Sequence, residues 1–190
     1  MFIFWGSMAF LLYVLYDINS VKWNNKVLRC GFWGGTIVLA VATVNVVLQN
    51  KERIDYAKGS AALLFGVATI FFVLLIYTLF FALPFEDTYV KESSQRLAYT
   101  EGVYALCRHP GVLWFIGFYL FLGWGLGSRE AFIFGIVVSF WNILYVAIQD
   151  RYSFPLTFIN YREYQKQVPF LIPNRRSIET CCKTLFRKKK

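Results

Sequence analysis

Charge is what this chain has least of. Asp, Glu, Lys and Arg make up 16% of its 190 residues, against about 25% in an ordinary soluble domain. They fall in short intervals between long apolar runs, and 57% of the chain is hydrophobic, which excludes a soluble globular protein. Histidine occurs once, at His109, and the four cysteines (Cys30, Cys107, Cys181, Cys182) fall in no CxxC or Cys/His cluster. That spacing argues against a zinc motif and against a disulfide framework; reduced thiols and no metal are expected. The start has no basic segment and no small-residue cleavage pattern before Asp17, so it reads as a retained span rather than a signal peptide. There is no internal repeat, and only 187–190 is low in complexity.

What the chain has in abundance is apolar runs near the roughly 18–20 residues needed to cross a bilayer core. The spans predicted are 2–16, 30–48, 60–85, 112–128 and 131–148, and 61–84 contains no charged side chain. The expected fold is all-α: a single integral membrane helical bundle over 1–190, of about five transmembrane helices, with a C-terminal amphipathic cytoplasmic segment. Arg129 and Glu130 mark the tip of a short hairpin, so the last two spans are antiparallel neighbours. Of the 20 Lys and Arg, 16 fall in the first loop, the third loop and the C-terminal segment, and 4 (Lys51, Arg53, Lys58, Arg129) on the other side. The positive-inside rule makes the basic side cytoplasmic, with a non-cytoplasmic N-terminus and a cytoplasmic C-terminus. The net charge of +9 then sits beside the membrane. Anionic lipid headgroups account for it better than nucleic acid does, and no nucleic-acid partner is expected.

Two segments outside the spans have structured patterns. The loop 86–111 is long for a bundle connection, and such loops are often functional. In the segment 149–190, Pro155 suits a first helical turn. Phe158, Tyr161, Tyr164 and Val168 then recur at helical spacing, with Arg162, Glu163 and Lys166 on another face, predicting a surface amphipathic helix that ends at Val168-Pro169. Pro110 suits the first position of the fourth span. That puts Arg108 and His109 at the positive end of a helix dipole, where a carboxylate or phosphate can bind. Anchoring among lipid headgroups is the alternative for both residues. Gly123-Trp124-Gly125-Leu126-Gly127 follows no strand, so it predicts close helix packing rather than a dinucleotide loop. Asn45 and Asn142, inside spans, are expected to bond between helices.

Gly102-x-Tyr104-x-x-x-Arg108-His109-Pro110 before an apolar span, then Gln149-Asp150, Tyr161-x-x-Tyr164 and Val168-Pro169-Phe170-Leu171-Ile172-Pro173, resembles the isoprenylcysteine carboxyl methyltransferase family and its phospholipid methyltransferase relatives. The resemblance covers 99–173. Departures from the family pattern are Val112 and Trp114 where a tyrosine and a glycine are usual, Gln149 in the acidic pair, and Phe170 in place of a basic residue.

The resemblance implies an integral membrane enzyme using S-adenosylmethionine, with the cofactor held between the third loop, the ends of the last two spans and the C-terminal segment. Tyr104, Arg108, His109, Pro110, Asp150, Tyr161 and Tyr164 are the cofactor-binding residues so implied, and Arg108 and His109 the catalytic ones. Arg108 would meet the cofactor's carboxylate; Asp150 and the tyrosines would meet its amino group and sulfonium. Pairing of Asp150 with Arg108 or Arg151, and simple burial of Tyr161 and Tyr164, are the alternatives. The acceptor implied is lipidic, either the carboxylate of a prenylcysteine or a phospholipid amine, approaching along aromatic walls (Trp114, Phe115, Phe118, Trp141, Tyr145) that ordinary packing would equally explain. A nicotinamide-dependent sterol-type reductase and a non-catalytic membrane adaptor with a lipid-binding basic tail are the remaining readings.

Overall fold

The computed structural model describes residues 1–53, 60–82 and 96–185. Lys58, the 83–85 end of the third predicted span, loop residues 86–95 and the basic run 187–190 lie outside the described residues.

With no water in a bilayer core, every backbone N–H and C=O must be satisfied within the chain, and apolar runs of this length do so as helices. Among the described residues all regular structure is helical: α1 (Phe2–Ile18), α2 (Gly31–Asn50), α3 (Ser60–Phe80), α4 (Val103–Leu106), α5 (Pro110–Gly125), α6 (Arg129–Ile148), α7 (Phe154–Thr157), α8 (Tyr161–Gln167) and α9 (Arg175–Leu185). Four helices are long and apolar enough to cross a membrane: α1 with its continuation to Trp23, α2 with its lead-in from Leu28, α3, and α6 with its continuation to Thr157. The fourth predicted span is shorter than expected. α5 has 16 residues, about 24 Å of helix against a core of about 30 Å.

α1 packs on α2 and α6, α6 on α5, and α5 on α3. The core between them includes Phe10, Leu39, Val46, Phe115, Phe134 and Val138. Two hydroxyl contacts cross it, Tyr13 to Thr36 at 3.2 Å and Thr43 with Tyr119 at 2.7 Å. Asn45, by contrast, donates back to the Val41 carbonyl within α2 at 2.9 Å and faces outward, so it forms no interhelical link. A long exposed helix face lets an asparagine satisfy its own backbone instead.

The glycine-rich run behaves as a packing device. A Cβ on Gly123 would stand 2.8 Å from the Phe132 Cα, and one on Gly135 2.8 Å from the Tyr119 carbonyl oxygen, so α5 and α6 meet backbone to backbone. Gly127, at φ +60°, makes the reversal. The hairpin tip lies earlier than predicted. Arg129 and Glu130 form the first turn of α6, because the Ser128 hydroxyl accepts the Ala131 N–H at 3.3 Å as an N-cap.

The C-terminal segment also differs from expectation. α6 does not stop near Ile148 but runs through a wider turn, Gln149–Ser153, into α7. The predicted single helix from Pro155 to Val168 is two, broken at Phe158, whose backbone is extended. The break is held by a docking strand-like pairing: Ala98 N–H donates to Asn160 Oδ1 at 2.6 Å, Asn160 Nδ2 to the Ala98 carbonyl at 3.0 Å, and Ile159 N–H to the Arg96 carbonyl at 3.1 Å. α9 was not predicted. It buries Ser177 and Cys181, one turn apart, against α4.

Candidate functional site

The antiparallel α5–α6 hairpin brings the start of α5 and the end of α6 to one end of the bundle, and Asp150 is the hub where they meet. The Arg108 guanidinium grips its carboxylate with two parallel bonds, Nε to Oδ1 at 2.7 Å and Nη2 to Oδ2 at 3.0 Å. This bidentate geometry is the strongest that Arg and a carboxylate form. The Tyr161 hydroxyl donates to Oδ1 at 2.7 Å, and Gln165 Nε2 reaches Oδ2 at 3.2 Å and the Asp150 carbonyl at 2.8 Å. His109 Nε2 stands 3.3 Å from Oδ1. A carboxylate only accepts, so a neutral His109 carries its proton on Nε2.

Arg108 also ties down the chain beyond α8. Its Nη1 donates to the carbonyls of Gln165 and Val168, at 3.0 and 2.6 Å, and its backbone N–H to the Pro169 carbonyl at 2.9 Å. Phe170 lies 5.7 Å from the guanidinium carbon, within cation–π range, and 5.3 Å from the His109 ring. Phe154 stacks on the His109 ring, with centroids 5.6 Å apart. Tyr164 donates to the Tyr104 carbonyl at 2.6 Å, and the Tyr104 hydroxyl to the Thr78 carbonyl at 3.0 Å, which extends the network to the end of α3. Trp114 Nε1 joins the Thr78 hydroxyl at 3.0 Å.

The motif residues thus have local reasons. Pro110 takes the first position of α5, with His109 as its N-cap. Gly102 caps α4 at φ 59°, ψ −132°, a conformation that a side chain would not tolerate. Its N–H donates to the Thr184 hydroxyl of α9 at 2.9 Å.

Burial sets the electrostatics. It lowers the His109 pKa from its ordinary value, partly offset by the hydrogen bond and charge of Asp150, so the imidazole stays neutral. The Tyr161 phenol is pushed well above its ordinary value, first by burial and then by Asp150. Burial likewise raises Tyr164 and pushes Cys107 up to about 12. These are proton-holding groups, not anions.

All seven residues singled out by the resemblance, Tyr104, Arg108, His109, Pro110, Asp150, Tyr161 and Tyr164, belong to this one assembly. In it Asp150 pairs with Arg108, not with Arg151, which is exposed. Sequence reasoning missed Gln165, Phe154 and the carbonyls of Gln165 and Val168. Gln165 lies four residues beyond Tyr161, and that helical spacing was the available signal. Of the aromatic wall, Phe115 belongs to the core, with Phe118, Trp141 and Tyr145 packed against it.

A zwitterionic amino-acid end fits this donor set. Arg108 and Asp150 carry the two charges it needs, already desolvated and opposed, and the first-turn amides of α5 add positive potential. The rings of Phe154 and Phe170 offer apolar faces beside them. The chain matches no family model, no curated protein and no solved structure.

Proposed function

We propose that this chain is an integral membrane methyltransferase that moves a methyl group from S-adenosylmethionine to a lipid-borne acceptor, the carboxylate of a prenylcysteine or a similar group. The observation that carries this reading is the Arg108–Asp150 pair, which joins two segments 42 residues apart. Each segment is one block of the motif pattern, and the pair gathers both blocks into one polar cluster at the end of an apolar bundle.

Arg108 and Asp150 bind by exchange: each gives up part of its contact with the other for the carboxylate and ammonium of the ligand's amino-acid end. When bound, S-adenosylmethionine would supply an electrophilic methyl group for transfer to the acceptor oxygen, leaving S-adenosylhomocysteine as the by-product. The protein then contributes alignment and water exclusion rather than covalent chemistry. A carboxylate acceptor needs no general base. His109, neutral and donating from Nε2 to Asp150, therefore holds the carboxylate in place, and Phe154 and Phe170 screen the cluster from water. The lipid acceptor reaches this end of the bundle laterally from the bilayer. With the basic segments cytoplasmic, the cofactor arrives from the cytosol, and anionic headgroups meet the basic C-terminal tail.

Calorimetric titration of the detergent-purified protein with S-adenosylhomocysteine tests the reading. Micromolar binding is expected, weakened at least ten-fold in Arg108→Lys, because a lysine cannot form the bidentate contact. Binding of a nicotinamide dinucleotide instead would favour the reductase, and heat from neither ligand would favour the adaptor.

A further inference from the structure

Every acceptor position of the Asp150 carboxylate is taken. Oδ1 accepts from Arg108 Nε and the Tyr161 hydroxyl, each at 2.7 Å, with His109 Nε2 at 3.3 Å. Oδ2 accepts from Arg108 Nη2 at 3.0 Å and from Gln165 Nε2 at 3.2 Å. A carboxylate offers about four lone-pair sites, and these contacts fill them. A cation therefore reaches Asp150 only by displacing a donor already there.

The donors are not equally held. Tyr161 and His109 are buried, 2% and 7% exposed, and both serve Oδ1. Arg108 also spends Nη1 on the Gln165 and Val168 carbonyls and its backbone N–H on the Pro169 carbonyl, so moving it would loosen the chain beyond α8. Gln165 is neutral and half-buried, and its bond is the longer of the two at Oδ2. Giving up that bond disturbs little else. Gln165 Nε2 keeps the Asp150 backbone carbonyl at 2.8 Å, and the Gln165 carbonyl keeps Arg108 at 3.0 Å. An ammonium brings three N–H donors and a full charge, so it outcompetes a neutral amide for a carboxylate oxygen.

We infer that the Gln165 side-chain amide is a stand-in for the ammonium of the ligand's amino-acid end, holding Asp150 Oδ2 until the ligand displaces it. This rests on the proposed cofactor site and names the side chain that yields there. Gln165 then holds the Asp150 carboxylate in its binding orientation beforehand, and its competition lowers the affinity for that ammonium.

Calorimetric titration of the detergent-purified full chain with S-adenosylhomocysteine and with its deaminated analogue, which keeps the carboxylate, tests this. Gln165→Met keeps the size and removes the donor. It should bind S-adenosylhomocysteine about ten-fold more tightly than the wild type, the worth of one hydrogen bond, with the affinity for the deaminated analogue unchanged. Gln165→Ala, which suits a helix equally well, should show the same ammonium-dependent gain. A structural contact would instead change both ligands alike. No such gain in the folded variants, or loss of the fold in both, would overturn the inference while binding by the wild type upholds the cofactor site. A wild type that binds neither ligand removes the cofactor site, and the stand-in with it.

Discussion

Arg108 and Asp150 are both nearly buried, with side chains 10% and 9% exposed, so neither tolerates loss of the other. Asp150→Ala leaves a desolvated guanidinium, and a fall in stability of about 3–5 kcal/mol is expected from chemical denaturation in detergent. The paired change Arg108→Met with Asp150→Leu removes both charges at once but leaves the Gln165 and Val168 carbonyls and the Tyr161 hydroxyl without these partners, so it should recover only part of that loss. If the pair is a ligand site as well as a clasp, the double variant will fold and still fail to bind S-adenosylhomocysteine. His109 gives a pH signature. Its folded pKa lies below the unfolded value of about 6.5, so the unfolded chain binds the extra proton first. Stability is full above about 6.5 and falls as pH drops through it, with a slope of at most about 1.4 kcal/mol per pH unit. Melting curves at pH 7.5 and 5.5 should show this loss in the wild type and a shallower one in His109→Gln. At this scale the sequence was informative wherever a residue type has few uses: a lone His before Pro, an Arg at a helix start, an acid after a span. It was silent on Gln165 and on the backbone carbonyls that hold Arg108, because amides and carbonyls carry no signature of their own.

Helix boundaries are where reading and structure part. Long apolar runs located α1, α2, α3 and α6 because a bilayer-length run has only one way to satisfy its backbone, and the same signal found α5, which is shorter. It could not see that Phe158 is extended, since the break is made by Asn160 pairing with Ala98 from a distant loop. α9 escaped notice for a different reason: only its Ser177 and Cys181 are buried, and neither is a strong apolar marker. The Ser128 cap was legible as a serine two residues before Glu130, but the charges drew the turn to themselves. The α5–α6 contact is the element most sensitive to volume. Gly123→Val would drive a side chain into the Phe132 backbone and should cost about 1–3 kcal/mol. Ser128→Ala, which removes only the cap, should cost about 1 kcal/mol. Thermal melts of the two variants should rank them in that order.

Taken whole, the molecule is an apolar bundle with the Arg108–Asp150 hub and the docked α8 and α9 gathered at one end. Membrane insertion was legible from composition alone, whereas the sidedness of that polar end rests on the distribution of Lys and Arg. Cys182 is exposed on α9 and Cys181 beside it is buried. In a variant with Cys30 replaced by serine, a membrane-impermeant maleimide should therefore label inside-out vesicles and leave sealed right-side-out vesicles unlabelled. The most direct test of methyl transfer is to incubate the purified protein with S-adenosylmethionine carrying a labelled methyl group and host membrane extract, then fractionate the products by mass. Label in a lipidic or prenylated species, absent with the Arg108→Met, Asp150→Leu variant, is the predicted result. A folded wild type that leaves every lipid and prenylated peptide unlabelled would contradict it.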